Sequence, residues 1–241
     1  MGLIKKIFGD HTVNAKATEI DRAPRITLSA LQNMVFRDET AQWNLGNISV
    51  TGMGVLHDGK PSWKIFDVVK GLLVIDRDKF DVQIRVRHLT GILAGCEFVG
   101  ANSTLQRAIE NYLRVEIVAL SLYPVREIFL KVDPRGQVEW LTDGRQNEFY
   151  CVHDDNGVVA YNMSFFGNYI EGGRGMTPRS GHLVEGKNDE PAHGGHKPST
   201  LLDVSAGIDP SVGRLGEVFV RNIAGLTAQI RNQVCADLKP A

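Results

Sequence analysis

The stretch Phe80-Asp81-Val82-Gln83-Ile84-Arg85-Val86-Arg87-His88 decides the fold class. Phe80, Val82, Ile84 and Val86 fall on one side, and Asp81, Gln83, Arg85 and Arg87 on the other. A period of two with one apolar and one charged side is a strand buried on one face. Residues 70–74 before it and 93–99 after it read as further strands. Upstream, residues 26–31 read the same way. So do residues 47–55, where β-branched residues alternate with small ones and the run ends in glycines. Several short strands at this spacing predict a barrel or sandwich. A helix is predicted over 104–120, with Ser103 or Thr104 as cap and Leu105, Ile109, Tyr112, Leu113 and Glu116 marking its turns.

Past residue 126 the pattern is again strand-rich. Asp133-Pro-Arg-Gly136, Asp143-Gly144 and Asn156-Gly157 are turn signals, the Asn-Gly pair being the strongest local hairpin signal. Between them, strands are predicted at 127–132, 138–141, 148–152 and 158–166. Residues 171–216 are rich in Gly, His, Pro and Ser. They are expected to be long loops, with a short strand at 182–184. An amphipathic helix over 217–238 follows, its stripe formed by Phe219, Ile223, Leu226, Ile230 and Val234. That stripe either packs on its own domain or offers a face to a partner.

Composition narrows the function classes. The 241 residues are 43% hydrophobic and 23% charged, enough to build a core, and the net charge is -1. Nucleic-acid polymers are bound by basic surfaces that displace counterions, so no such partner is expected. The 3 cysteines, Cys96, Cys151 and Cys235, have no CxxC spacing. They read as buried thiols in a reducing compartment and fit a cytoplasmic protein. No apolar run reaches the roughly 20 residues that span a bilayer. The start, Met1 to Phe8, lacks the long apolar region of a signal peptide.

The sharpest motif is Asn47-Ile-Ser49-Val-Thr-Gly52, about twenty residues after Arg22-Ala-Pro-Arg25. With the strands around 82–88 and 95–98 it resembles the PilZ family, whose members bind cyclic di-GMP. The family pattern is RxxxR before the first barrel strand, then [D/N]xSxxG within the barrel. The resemblance covers roughly the first half of the chain after its leader. It implies a PilZ-like antiparallel β-barrel followed by a helix, and cyclic di-GMP as ligand. It implies as ligand-binding residues Arg22, Arg25, Asn47, Ser49 and Gly52. The chemistry suits them. Arginine takes phosphate or the O6/N7 edge of guanine through paired hydrogen bonds. Asn47 and Ser49 offer short acceptors, and Gly52 lets the backbone come close to a ligand. Arg22 and Arg25 are spaced RxxR, and Asp21 stands where the family has its first arginine. A barrel that binds no nucleotide and serves as a scaffold or oligomer is therefore the alternative reading.

Other groupings are weaker. His193-Gly-Gly-His196 with Asp189 or Glu190 has metal-ligand character, but His/Gly loops are commoner than metal sites. His153 beside Asp154 and Asp155 reads as a hairpin tip. A metal-dependent enzyme built on His153, His182 or His193 ranks last, and no catalytic residue, cofactor or metal is expected. The whole chain reads as mainly β. A leader over 1–23 precedes a PilZ-like barrel plus helix over 24–120. A second β-rich domain over 126–241 carries the long loop and a C-terminal amphipathic helix. The expected activity is that of a second-messenger receptor that changes conformation on binding and meets a protein partner, in control of motility or surface attachment.

Overall fold

The computed structural model describes residues 25–27, 34–57, 62–100, 102–185 and 200–239. The fold is mainly β and begins with a closed barrel. Its strands are β1 (Ile26–Thr27), β2 (Met34–Arg37), β3 (Gln42–Ser49), β4 (Gly52–Leu56), β5 (Val68–Ile75), β6 (Asp78–Thr90) and β7 (Leu93–Phe98). All pairings are antiparallel, in the closed order β3–β2–β5–β6–β7–β4 and back to β3. One edge of β3 holds β2 at Asn44 to Gln42 and β1 at Asn47 and Ile48, while its other edge holds β4. A closed barrel leaves no exposed strand edge. Phe36, Ile48, Met53, Val55, Leu73, Ile84 and Val86 are fully buried inside it.

Residues 47–55 are not one strand, as the alternation suggested, but the two arms of a hairpin reversing at Val50 and Thr51. The reversal is held by Ser49, whose Oγ accepts from the Thr51 amide at 3.3 Å and donates to the Gly52 carbonyl at 3.3 Å. A second hairpin, β2–β3, escaped the sequence reading. Asp38 organises its turn, with Oδ1 accepting from the amides of Thr40 and Ala41 at 2.8 Å each.

The helix expected over 104–120 is two helices, α1 (Ser103–Tyr112) and α2 (Arg114–Ser121), broken at Leu113. The cap is Asn102, whose side chain accepts from the Leu105 amide at 3.0 Å. Leu105, Ile109 and Leu113 close the barrel's core. α2 is shared between cores: Ile117 and Leu120 pack on the barrel side, while Val115 and Ala119, with Leu122 just beyond, belong to the second core.

That second core is covered by an open antiparallel meander: β8 (Tyr123–Pro124), β9 (Gln137–Thr142), β10 (Glu148–Asp154), β11 (Gly157–Phe165), β12 (Asn168–Gly173), β13 (Met176–Glu185) and β14 (Thr200–Val204). Two helices, α3 (Pro210–Asn222) and α4 (Ala228–Asp237), pack on one face of this sheet. Phe165 of β11 stacks on Phe219 of α3 with centroids 4.8 Å apart. Gln233 of α4 reaches β11, where its Oε1 accepts from the Val158 amide at 2.8 Å.

Three expectations fail here. Residues 127–132 form no strand but a 3-10 turn at Glu127–Phe129 and exposed connection. The described residues of 171–216 are not loops but the end of β12, β13, β14 and the start of α3, the strand expected at 182–184 being part of β13, and glycines such as Gly173 and Gly181 sit in sheet positions where neighbours come close. A Cβ at Gly181, for example, would lie 2.2 Å from the Asp203 carbonyl. The single helix over 217–238 is two helices, interrupted near Gly225 at φ 87°. α3 starts earlier, at Pro210, because Asp209 caps it by accepting from the amides of Ser211 and Val212. The stripe Phe219, Ile223, Leu226, Ile230 and Val234 is buried in the second core and packs on its own domain.

Candidate functional site

The barrel's inward residues alternate with an outward set, and on β3, β4, β7 and β6 that outward set makes one face with glycines at its middle, the trough. Strand register places Thr27, Asn47, Gly54, Gly95 and His88 side by side in one row across five strands. Two glycines abreast make a floor without side chains. The flanking groups lean over it: a Cβ at Gly54 would lie 2.6 Å from Nδ2 of Asn47, and one at Gly95 would lie 2.0 Å from Cε1 of His88. Asn47 Oδ1 is buried and has no hydrogen-bond partner among the described residues. Such an acceptor costs free energy until a donor reaches it.

The adjoining row is Ser49, Gly52, Glu97 and Arg85. Continuing the β1–β3 register by one residue places Arg25 opposite Ser49 at its near end. Arg25 is exposed, and its charge reaches the Cys96 thiol on β7. Burial pushes that thiol up to about 12, and Arg25 works against the rise. At the far end, Nε of Arg87 donates to Oε2 of Glu97 at 2.5 Å. The trough thus has cations at both ends, Arg25 on one side and Arg85 and Arg87 on the other.

Of the five residues singled out by sequence, Arg25, Asn47, Ser49 and Gly52 come to this one end and face of the barrel, and Arg22 lies outside the described residues. Ser49 is 3% exposed, and its hydroxyl is occupied by the β3–β4 turn, where it also lies 3.2 Å from the Thr51 hydroxyl. Gly52 has a reason for lacking a side chain that involves no ligand: a Cβ there would lie 2.2 Å from the Cys96 carbonyl of β7. Sequence reasoning missed Gly54, Gly95, Arg87 and His88. The signal for the two glycines was present in Gly52-Met-Gly54 and Ala94-Gly95-Cys96. Their alignment with Asn47 and His88 depends on strand pairing and on irregularities in β3 and β6 that no local pattern reveals.

Two clefts elsewhere on the barrel suit an anion poorly. One of about 410 Å³ lies between β6, β7 and the start of α1, and its only charged lining residue is Asp81. A second is lined by Arg37 and Lys70 but also by Asp38, Glu39 and Asp81. Among the described residues no group of three or more His, Cys, Asp or Glu gathers in metal-binding fashion. The His193 and His196 pair lies outside them. His153 sits 3.6 Å from Glu139 on the neighbouring strand, a pair half-buried in the second sheet. No described helix is long and apolar enough to cross a membrane.

Comparison with known protein families matches residues 19–114 to the PilZ domain. The closed six-stranded barrel described above lies within that span, so the first half of the chain carries a PilZ domain. The second half matches no family. None of the curated proteins matches the chain. Among solved structures, the chain is similar to the crystal structure of a Legionella uncharacterized protein, Lpg0364. That match is 14% identical, covers 37% of this chain and 89% of that chain, and has a TM-score of 0.29.

Proposed function

We propose that this protein is a receptor for cyclic di-GMP that holds its ligand on the outer face of the barrel, over the trough floored by Gly54 and Gly95. The PilZ match supports the ligand class. The observation that carries the site is the buried, unpartnered Oδ1 of Asn47, whose amide lies over Gly54, with arginines at both ends. A cyclic dinucleotide brings what these groups lack. Its guanine N–H groups satisfy the Asn47 oxygen, and its phosphates and guanine O6/N7 edges meet arginine. The Asn47 amide and the His88 imidazole cover Gly54 and Gly95 and offer a base or the sugar-phosphate ring a surface to pack on.

Arg25, and Arg22 from the leader before it, clamp the ligand from the β1 side. Ser49 has to exchange one of its turn contacts to meet the ligand, so its first role is to hold the hairpin that presents Asn47. The protein acts by binding rather than catalysis. Ligand capture changes how Arg22 and Arg25 are held, a switch driven by a few charge pairs. α2 is the route by which such a change is felt beyond the barrel, since its two faces serve the two cores. The downstream step is contact with a protein partner, in control of motility or surface attachment. The buried stripe of α3 and α4 is not available for it.

Calorimetric titration of the full chain with cyclic di-GMP tests the reading. Micromolar or tighter binding is expected, lost in Arg25→Ala and weakened in Asn47→Ala, with both variants melting like the parent. A full chain that gives neither heat nor a thermal shift at high ligand is instead a nucleotide-free scaffold.

A further inference from the structure

We infer that the trough has a working second wall on β6 and β7, in which Arg87 exchanges its bond to Glu97 for a bond to the ligand while His88 backs the glycine floor. This rests on the cyclic di-GMP reading and extends it to residues outside the leader and the Asn47–Gly52 segment.

The wall is built by an irregularity. On β6, Val86 pairs with Cys96 and His88 pairs with Gly95, so Arg87 is an extra residue opposite none. A bulge of this kind re-aims side chains. Here two consecutive residues, Arg87 and His88, both reach the outer face, one onto Glu97 and the other over Gly95. Val86 before them stays fully buried in the core. Glu97 is the partner of Gly52 across β4 and β7, so its carboxylate stands on the floor next to the segment that presents Asn47 and Ser49. An anionic ligand on this face is repelled by this carboxylate.

Two features make the exchange feasible. The Arg87 and Glu97 side chains are 49% and 46% exposed, so their pair is screened by water and weakly held. A phosphate or guanine oxygen replacing the carboxylate at Arg87 preserves a charge-assisted bond, so the guanidinium loses nothing in the trade. Asn47 and His88 are three strand spacings apart, about 14 Å, with the glycine floor between them. A ligand with two anionic groups is thus met by Arg25 at one end and Arg87 at the other. Glu97 acts as an internal competitor that holds Arg87 when no ligand is present.

Binding affinity for cyclic di-GMP, measured on the full chain at fixed salt, separates this from a structural role. Arg87→Ala is expected to weaken binding about tenfold, the effect of one lost bond to a charged group. Glu97→Gln is expected to tighten binding severalfold, because it frees Arg87 and removes a negative charge from the floor. A purely structural ion pair would make both variants bind worse. Unchanged binding in Arg87→Ala, or unchanged or weaker binding in Glu97→Gln, overturns the second wall while leaving the receptor reading intact if Arg25→Ala still abolishes binding. Failure of the parent chain to bind at all overturns both.

Discussion

The barrel and the second sheet each turn one face outward, and the two faces are built on opposite principles. Across the second sheet, Trp140, Tyr150, Asn162, Glu171 and Arg179 form one outward row over β9 to β13. Its large groups bond to one another or to neighbours. The Trp140 indole donates to Glu148 at 3.1 Å, the Tyr169 hydroxyl donates to Glu171 at 2.7 Å, and Arg179 pairs with Glu171. Trp140 and Tyr150 meet edge to face, 6.4 Å between centroids. The corresponding row on the barrel has two glycines in its middle and a buried oxygen without a donor. Polar groups that satisfy each other need no ligand; a buried acceptor left without a donor gains from one. The proposed ligand site is for that reason placed on the barrel face, even though the second sheet has more side-chain bulk to offer.

The shared helix α2 sets the largest test of that comparison. Phe36 fills the barrel core and Phe219 the second core, and both are fully buried. Truncating either to alanine is expected to cost about 3–5 kcal/mol. Because α2 contributes to both cores, both variants are expected to lower one common thermal transition followed by circular dichroism. Two separate transitions, each moved by one variant alone, would show that α2 does not couple the halves.

Glycines on the barrel give a smaller and sharper contrast. Gly52→Ala drives a Cβ into the Cys96 carbonyl, which is backbone and cannot step aside. It is expected to destabilise by about 1–3 kcal/mol in denaturant titration. At Gly95→Ala the three atoms nearest the new Cβ all belong to the imidazole of His88, the end of a movable side chain. It is expected to cost less stability than Gly52→Ala while weakening ligand binding, since it displaces the ring that covers the floor. The reverse order of stabilities would mean that the row is not packed as described.

The smallest effect concerns the second sheet at low pH. Arg174 grips Asp154 with two bonds, at 2.7 and 2.9 Å, and holds its carboxyl at about 2, below the usual range near 3.9. A carboxyl depressed in the folded state stabilises above its unfolded value and loses that contribution as pH falls through the folded one. The melting-temperature gap between the parent and Arg174→Gln is therefore expected to be small and constant above pH 5 and to close toward pH 2. A gap that persists at pH 2 would assign the role of Arg174 to packing instead.

How much of this was legible in the sequence depended on whether the signal was local. The clean alternation at Phe80 to Val86 reported β6 correctly because one face of that strand is core, with Val82, Ile84 and Val86 buried. The resemblance carried by Arg25, Asn47, Ser49 and Gly52 pointed to the end of the barrel where those four now lie. The hairpin at Val50 and Thr51 was hidden because Ser49 and Thr51 continue a β-branched and small pattern while their hydroxyls bend the chain. The order within 171–216 was hidden for a related reason. Glycines such as Gly172, where a Cβ would lie 2.6 Å from the Tyr161 hydroxyl, look like loop residues until a partner strand is placed beside them. The second wall needed both the pairing and the bulge at Arg87, and neither is a property of any single segment.

Amide hydrogen exchange of the full chain, with and without saturating cyclic di-GMP, tests the central claim most directly. The account predicts slowed exchange in peptides spanning residues 25–27, 47–54 and 85–97, and little direct change across β9 to β13. Slowing confined to the second sheet, or to the clefts beside α1, would contradict it and move the binding site off the glycine floor.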